Sequence, residues 1–170
     1  TGIVAFRATG TVSVGSGTSV TTSSLGYRAP IYTPPMNSYG KAGEATSGVG
    51  SQQRTENLYG GGGAGYRDAV GSYHGGNGGG AYGSAGSNGS CNSNNCGTAV
   101  GGYGATSTYG QTTLSSLYFG GAGSDNASPG GKGGGIIFIA AQTLSVSGTI
   151  SSNGGNADSC GSNTYLGGGG

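Results

Sequence analysis

The sequence predicts an all-β fold: a short-strand sheet or β-solenoid-like module with a long glycine-rich insert and little or no helix. Three observations predict it. The stretch 130–157 reads GGKGGGIIFIAAQTLSVSGTISSNGGNA. Its glycine run leads into Ile136-Ile137-Phe138-Ile139-Ala140-Ala141, apolar on both sides as a fully buried strand requires. After Gln142-Thr143, the run Leu144 to Ile150 alternates with the period two of a half-buried strand. The second observation is a repeat. Gly2-Ile3-Val4-Ala5-Phe6-Arg7-Ala8 matches Gly135 to Ala141 position for position, and Val12-Ser13-Val14 matches Leu144-Ser145-Val146. Gly17-Thr18 matches Gly148-Thr149 with a residue or two of slippage. Such self-similarity signals an architecture of stacked units. Third, no window of useful length has helical periodicity, and the nearest candidate, Ser51 to Leu58, lacks an apolar stripe.

In order, residues 2–25 hold two or three short strands, Ile3 to Ala8, Thr11 to Val14 and Thr18 to Thr22, with turns at Gly10 and Gly15-Ser16-Gly17. This strand motif, 2–25, is repeated at 135–155 within a single module of 1–170. Over 26–59 the pattern dissolves, because Pro30, Pro34 and Pro35 remove backbone donors and fix φ. That part reads as extended coil, with Tyr27, Ile31, Tyr32, Met36 and Tyr39 available to pack it on the sheet. Residues 60–110 interleave glycine with Tyr66, Tyr73, Tyr82, Tyr103 and Tyr109, a length that an ordinary loop does not reach. The insert is read as ordered, in extended polyglycine II strands packed through their backbones, against the alternative of a flexible Gly/Ser tract. Glycine loses the most entropy on ordering, so this packing requires nearly every amide to be bonded. Strand character returns over 111–155, first at Thr112 to Phe119. The chain starts in mid-pattern and stops partway through a second unit, which predicts a processed subunit or a fragment of a longer repetitive protein.

Composition excludes several classes. Glycine supplies 44 of 170 residues, against an ordinary ~7%, yet without the strict every-third register of collagen. A net charge of +1 with 6% charged residues offers no electrostatic footprint for nucleic acid or for an anionic membrane. The longest apolar run, Ile136 to Ala141, is far shorter than the ~18 to 20 residues of a membrane span. Few charges and abundant Ser, Thr and Asn suit a surface that works outside the cell. Cys91 and Cys96 can close a small disulfide loop, leaving Cys160 for another repeat or subunit, with other pairings open. Zinc needs four ligands, which three Cys and one His without paired CxxC spacing do not supply in a recognisable pattern.

Catalytic constellations are not found. His74 is the sole histidine, placed between glycines with Asp68 as nearest acid, and reads as a loop residue. Glu44, Glu56, Asp68, Asp125 and Asp158 form no recognisable carboxylate pair. Asp125-Asn126 and Asn156-Ala157-Asp158 lack calcium-loop spacing, and Gly131-Lys132-Gly133 lacks the Ser or Thr of a phosphate loop. No cofactor is expected. Tyr66, Tyr73, His74 and Tyr82 are the candidate ligand-facing residues, since tyrosine among glycines can stack on sugars as well as cover a glycine sheet. Asn88 and Asn126 lie in N-glycosylation sequons.

The 130–157 stretch resembles a motif that recurs in large bacterial surface and adhesin-like proteins: a glycine run, an apolar strand, a T-L-x-x-x-G-x-I turn, then S/A-N-G-G. The likeness covers about the last quarter of the chain and its degenerate copy at 2–20. It implies an extracellular, repetitive, non-catalytic β architecture. In composition alone, and in the proposed packing, the insert is similar to glycine-rich phage adhesins and to a glycine-rich antifreeze protein. The expectation is a structural subunit of an extracellular filament, sheath or surface layer that self-associates. Its assembly strands would be Ile3, Val4 and Phe6 with Ile136, Ile137, Phe138 and Ile139, adding to a neighbour's sheet edge. The alternative is an adhesin or receptor-binding tip for a glycan or cell-surface ligand.

Overall fold

The two copies of the strand motif lie side by side. A computed structural model describes residues 2–57, 60–67, 77–89, 102–110, 113, 115–125, 130–157 and 169. Its strands are β1 (Ile3–Arg7), β2 (Thr11–Val14), β3 (Ser19–Thr21), β4 (Ser38–Tyr39), β5 (Tyr66–Arg67), β6 (Ile136–Ala140), β7 (Thr143–Val146) and β8 (Thr149–Ser151). The fold is all-β, with short strands in small sheets and no helix among the described residues.

β1 pairs in parallel with β6, β2 with β7, and β3 with β8. The partners occupy equal positions in the two copies: Ile3 faces Ile136, Val12 faces Leu144 and Val14 faces Val146. In the third pair Ser19 faces Thr149, one residue beyond the alignment of Gly17-Thr18 with Gly148-Thr149. The copies therefore form two stacked rungs of three strands each. Gly17, with φ of 75°, makes the β2–β3 turn that lets Thr18 donate back to the Gly15 carbonyl. Hydroxyls tie the third pair: Ser151 donates to Thr21 Oγ1 at 3.0 Å, and Thr22 donates to Ser152 Oγ at 3.0 Å. Among the described residues the pairing is confined to this one pair of copies, in separate two-stranded sheets, and the expected solenoid is not formed.

Two expectations are corrected. β6 is half-buried, with Phe138 46% exposed, and β7 is exposed throughout. A sheet of two strands has no third layer to cover it, so apolarity on both sides did not translate into burial. The segment 113–119, where described, is turn, bend and coil instead of strand. The coil at 26–59 also gains structure, since β4 pairs antiparallel with β5 and Lys41 bridges to Gln52 and Asp125. Tyr27 packs edge-on against Phe119 and Tyr39 against Tyr66, while Ile31 (89%) and Met36 stay exposed.

The core is backbone. Ala42, Ala64, Ala81, Ala105 and Ala122 are fully buried among glycines, whereas most large apolar side chains lie outside. The amides of this region run to several neighbours in rotation. Gly120, Gly121, Ala122, Gly123, Ser124 and Asp125 donate in turn to the carbonyls of Gly134, Ala81, Glu44, Gly131, Gly78 and Lys41. Residues three apart return to one neighbour: 120 and 123 to 131–134, 121 and 124 to 78–81, 122 and 125 to 41–44. The same step relates Gly78 and Ala81, which donate to Gly63 and Gly60, and Gly40 and Gly43, which donate to Gly65 and Gly62. In a pleated strand such directions would alternate with period two.

The approach is close enough to exclude side chains. A Cβ on Gly62 would lie 2.2 Å from the Gly78 carbonyl oxygen, and one on Gly43 would lie 2.0 Å from that of Ala122.

Candidate functional site

The candidate assembly residues are brought together. Ile3, Val4 and Phe6 stand opposite Ile136, Ile137 and Ile139, and Ala5 opposite Phe138. Ile3 is 60% exposed and Phe6 40%, so this is an open apolar surface. The bonds that bracket the pair set which backbone groups face inward. Ile136 donates to the Gly2 carbonyl at 3.0 Å, and Ala8 donates to the Ala140 carbonyl at 2.8 Å. Successive residues of a strand direct their amide and carbonyl to opposite edges. Val4 and Phe6 thus face β6, while Ile3, Ala5 and Arg7 face outward; Ile137 and Ile139 face away from β1. Ser147 donating to Val14, and Thr149 to Thr18, set the same alternation in the other pairs. The outer edge of the second rung is therefore formed by the backbone of Ile137, Ile139, Leu144, Val146 and Ile150.

Beside that edge lies an open cleft of about 400 Å³. Tyr82, Leu117 and Tyr118 line it together with Ile136, Ile137, Ile150, Ser151 and Ser152. The rings are positioned by the glycine core. Tyr82 and Tyr118 pack edge-on against Tyr109 at 5.3 and 5.8 Å, and the Tyr109 hydroxyl donates to the Phe119 carbonyl. Burial pushes the Tyr109 phenol well above the ordinary tyrosine range, with the neighbouring Tyr27 and Tyr82 adding to the shift. The cleft's serines already serve the rung stack: Ser152 donates to the Gly135 carbonyl at 2.7 Å, and Ser151 to Thr21. What the cleft offers is chiefly aliphatic and aromatic surface.

The other sequence candidates divide. Tyr66 lies in β5, half-buried against Tyr39, with its hydroxyl donating to Asn37 Oδ1 at 3.5 Å. Tyr82 reaches the cleft. Asn88 is exposed, and its Oδ1 accepts from the Gly104 amide at 2.7 Å. Tyr73, His74, Cys91, Cys96, Cys160 and Asn126 lie outside the described residues. The described residues contain no cluster of three or more His, Cys, Asp or Glu that could hold a metal ion.

Sequence reasoning missed what the acids do. Glu44 accepts from the Arg28 amide at 2.8 Å and pairs with its guanidinium at 3.2 Å. Glu56 clamps the loop at 106–107, accepting from Thr106 Oγ1 at 2.6 Å, from the Thr106 amide, and from the Ser107 amide at 3.1 Å. Asp125, buried, accepts from the Tyr32 amide. Arg28 holds the Glu44 carboxyl below its usual range against an opposing desolvation. At Glu56 burial acts upward, and the combined bonds from Thr106 and Ser107 overcome it, so its pKa is also lowered. Both groups bind a proton more readily unfolded than folded. Their stabilisation is complete above the unfolded value of 4.5 and is lost as pH falls through the lower folded values. Glu56→Gln is expected to cost about 1 to 2 kcal/mol at neutral pH and to flatten the acid limb of a melting-temperature profile. An unchanged acid limb would show that Glu56 does not contribute to it.

Comparison with protein-family models, with curated proteins and with solved structures finds no match to this chain, so its functional reading rests on the geometry of the rung edges and the cleft.

Proposed function

We propose that this chain is a non-enzymatic structural module of an extracellular filament, sheath or surface layer that assembles by strand contacts between copies. The observation that carries the reading is the pair of rungs. Two copies of one motif already stack in register, and the stack ends in exposed apolar edges with backbone groups directed outward. Such an edge is a template for another strand. Under this reading the glycine core is a polyglycine II bundle, which stiffens the rungs without needing a hydrophobic interior. The three-residue rotation of its hydrogen bonds, matching a helix of three residues per turn, supports that reading. A sparsely charged surface rich in hydroxyls and amides suits extracellular work.

Electron microscopy of the purified chain over a concentration series tests the proposal. Regular fibres or sheets are expected, and particles that stay monomeric throughout would overturn it. Imaging with and without reductant adds the role of Cys160, since loss of the fibres on reduction would assign it a bridge between copies. The tyrosines at the cleft favour a second reading, an adhesin or receptor-binding tip. That reading requires isolated particles that bind a glycan array or cell surface and lose binding on Tyr82→Ala.

A further inference from the structure

We infer that the outer edge of β6–β7–β8, with the cleft beside it, receives the β1–β2–β3 rung of a second copy of this chain. The rung adds in parallel and in the register that β1 and β6 keep within one molecule. This inference rests on the self-assembly reading and adds its partner, polarity and register.

The template is internal. β6–β8 carries the same motif as β1–β3, and the contact between them already shows what such an edge accepts. The backbone is set for a repeat of it. Ile137 and Ile139 direct amides and carbonyls away from β1, and the groups on the outer edge of β1 belong to Ile3, Ala5 and Arg7. In the internal register, Ile137 of one copy donates to Ile3 of the next and accepts from its Ala5. Ile139 donates to Ala5 and accepts from Arg7.

The side chains agree. Ile3 and Leu25, 60% and 45% exposed, sit at one corner of the first rung, because Gly2 donates to the Leu25 carbonyl at 2.6 Å. The internal register lays an incoming Ile3 over Ile136, at the apolar cleft lined by Leu117, Tyr118 and Ile150. Charge selects polarity. Arg7 is the sole charged residue in the six strands, and head-to-tail addition sets it over Ala140, as within one molecule. Joining two β1 edges in parallel would instead set Arg7 directly against Arg7, a like-charge cost. Head-to-tail contacts that do not close build a filament.

Proline at outward-facing amides tests this, because an edge strand tolerates proline where its amide faces solvent. Ala5→Pro blocks the first rung's outer edge and leaves β6 able to receive. Ile137→Pro blocks the receiving edge and leaves β1 able to dock. Each variant alone is expected to sediment as a monomer and to melt as the dilute, unassembled wild type does. An equimolar mixture is expected to form dimers and nothing larger. Assembly of either variant alone to the wild-type size, or a mixture that stays monomeric, overturns the inference while fibres of the wild type keep the broader reading. A wild type that never assembles overturns both. Amide exchange on the wild type serves if a variant fails to fold. Ala5, Arg7, Ile137 and Ile139 should slow on assembly, and unchanged exchange there overturns the inference.

Discussion

Gly121→Ala is expected to destabilise the fold by about 3 kcal/mol or more, a large share of the ~5 to 15 kcal/mol of a typical domain. The added methyl would lie 2.0 Å from the Gly60 carbonyl oxygen, 2.6 Å from its carbon and 2.9 Å from the Ala81 oxygen. All three are main-chain atoms, so no side chain can rotate aside. The segments would have to separate, and the bonds from Ala81 to Gly60 and from Gly121 to Ala81 lengthen together. Gly83→Ala supplies the contrast, because a Cβ there meets nothing within 4 Å among the described residues. Its stability should change by less than about 0.5 kcal/mol. Urea titration of the two variants reads the difference, and equal midpoints would show that close backbone packing does not hold the core.

Asn57→Ala should cost about 2 to 3 kcal/mol. Its Nδ2 donates to the Gly43 and Gly48 carbonyls at 3.0 and 2.9 Å, and its Oδ1 accepts from Ser47 at 3.0 Å. Its backbone meanwhile exchanges both bonds with Gly61. One side chain thus anchors the coil at 43–48 to the start of the glycine core. Asn57→Asp separates the causes, since it keeps shape and acceptor but loses both donors. A loss at least as large as that of the alanine variant is expected, because a carboxylate oxygen would face the two carbonyls. Wild-type stability in Asn57→Asp would place the contribution in packing.

The repeated strands were legible because a repeat carries its own alignment. Aligning the copies matches Ile3 with Ile136 and Val12 with Leu144, but that the copies pair with each other within one chain is seen only in the structure. Their exposure was not legible, because the apolarity of Phe138 and Leu144 reads as burial, and nothing among the described residues covers them. The glycine core was readable as a question of order, through composition, but not as a map. Whether Gly83 or Gly121 must be glycine depends on which face meets another backbone, and that partner lies at Gly60, far away in sequence. The roles of Glu44, Glu56 and Asp125 were hidden for a similar reason. Each binds main-chain amides, which leave no mark in residue identity. The cleft joins Tyr82, Leu117 and Ile150, which share no local motif.

A backbone-built interior also changes how the fold should respond to temperature. Exposing apolar surface raises the heat capacity of unfolding and exposing peptide groups lowers it. Here the buried surface is rich in amides and carbonyls, while Ile3, Ile31, Phe138 and Leu144 are already wet. The heat-capacity increment should therefore fall below the ordinary ~12 to 15 cal/mol/K per residue. The stability curve would be broad and shallow, with its cold limb displaced downward. A core held by main-chain bonds would weaken less on chilling than an oily one, whose driving force fades as water cools.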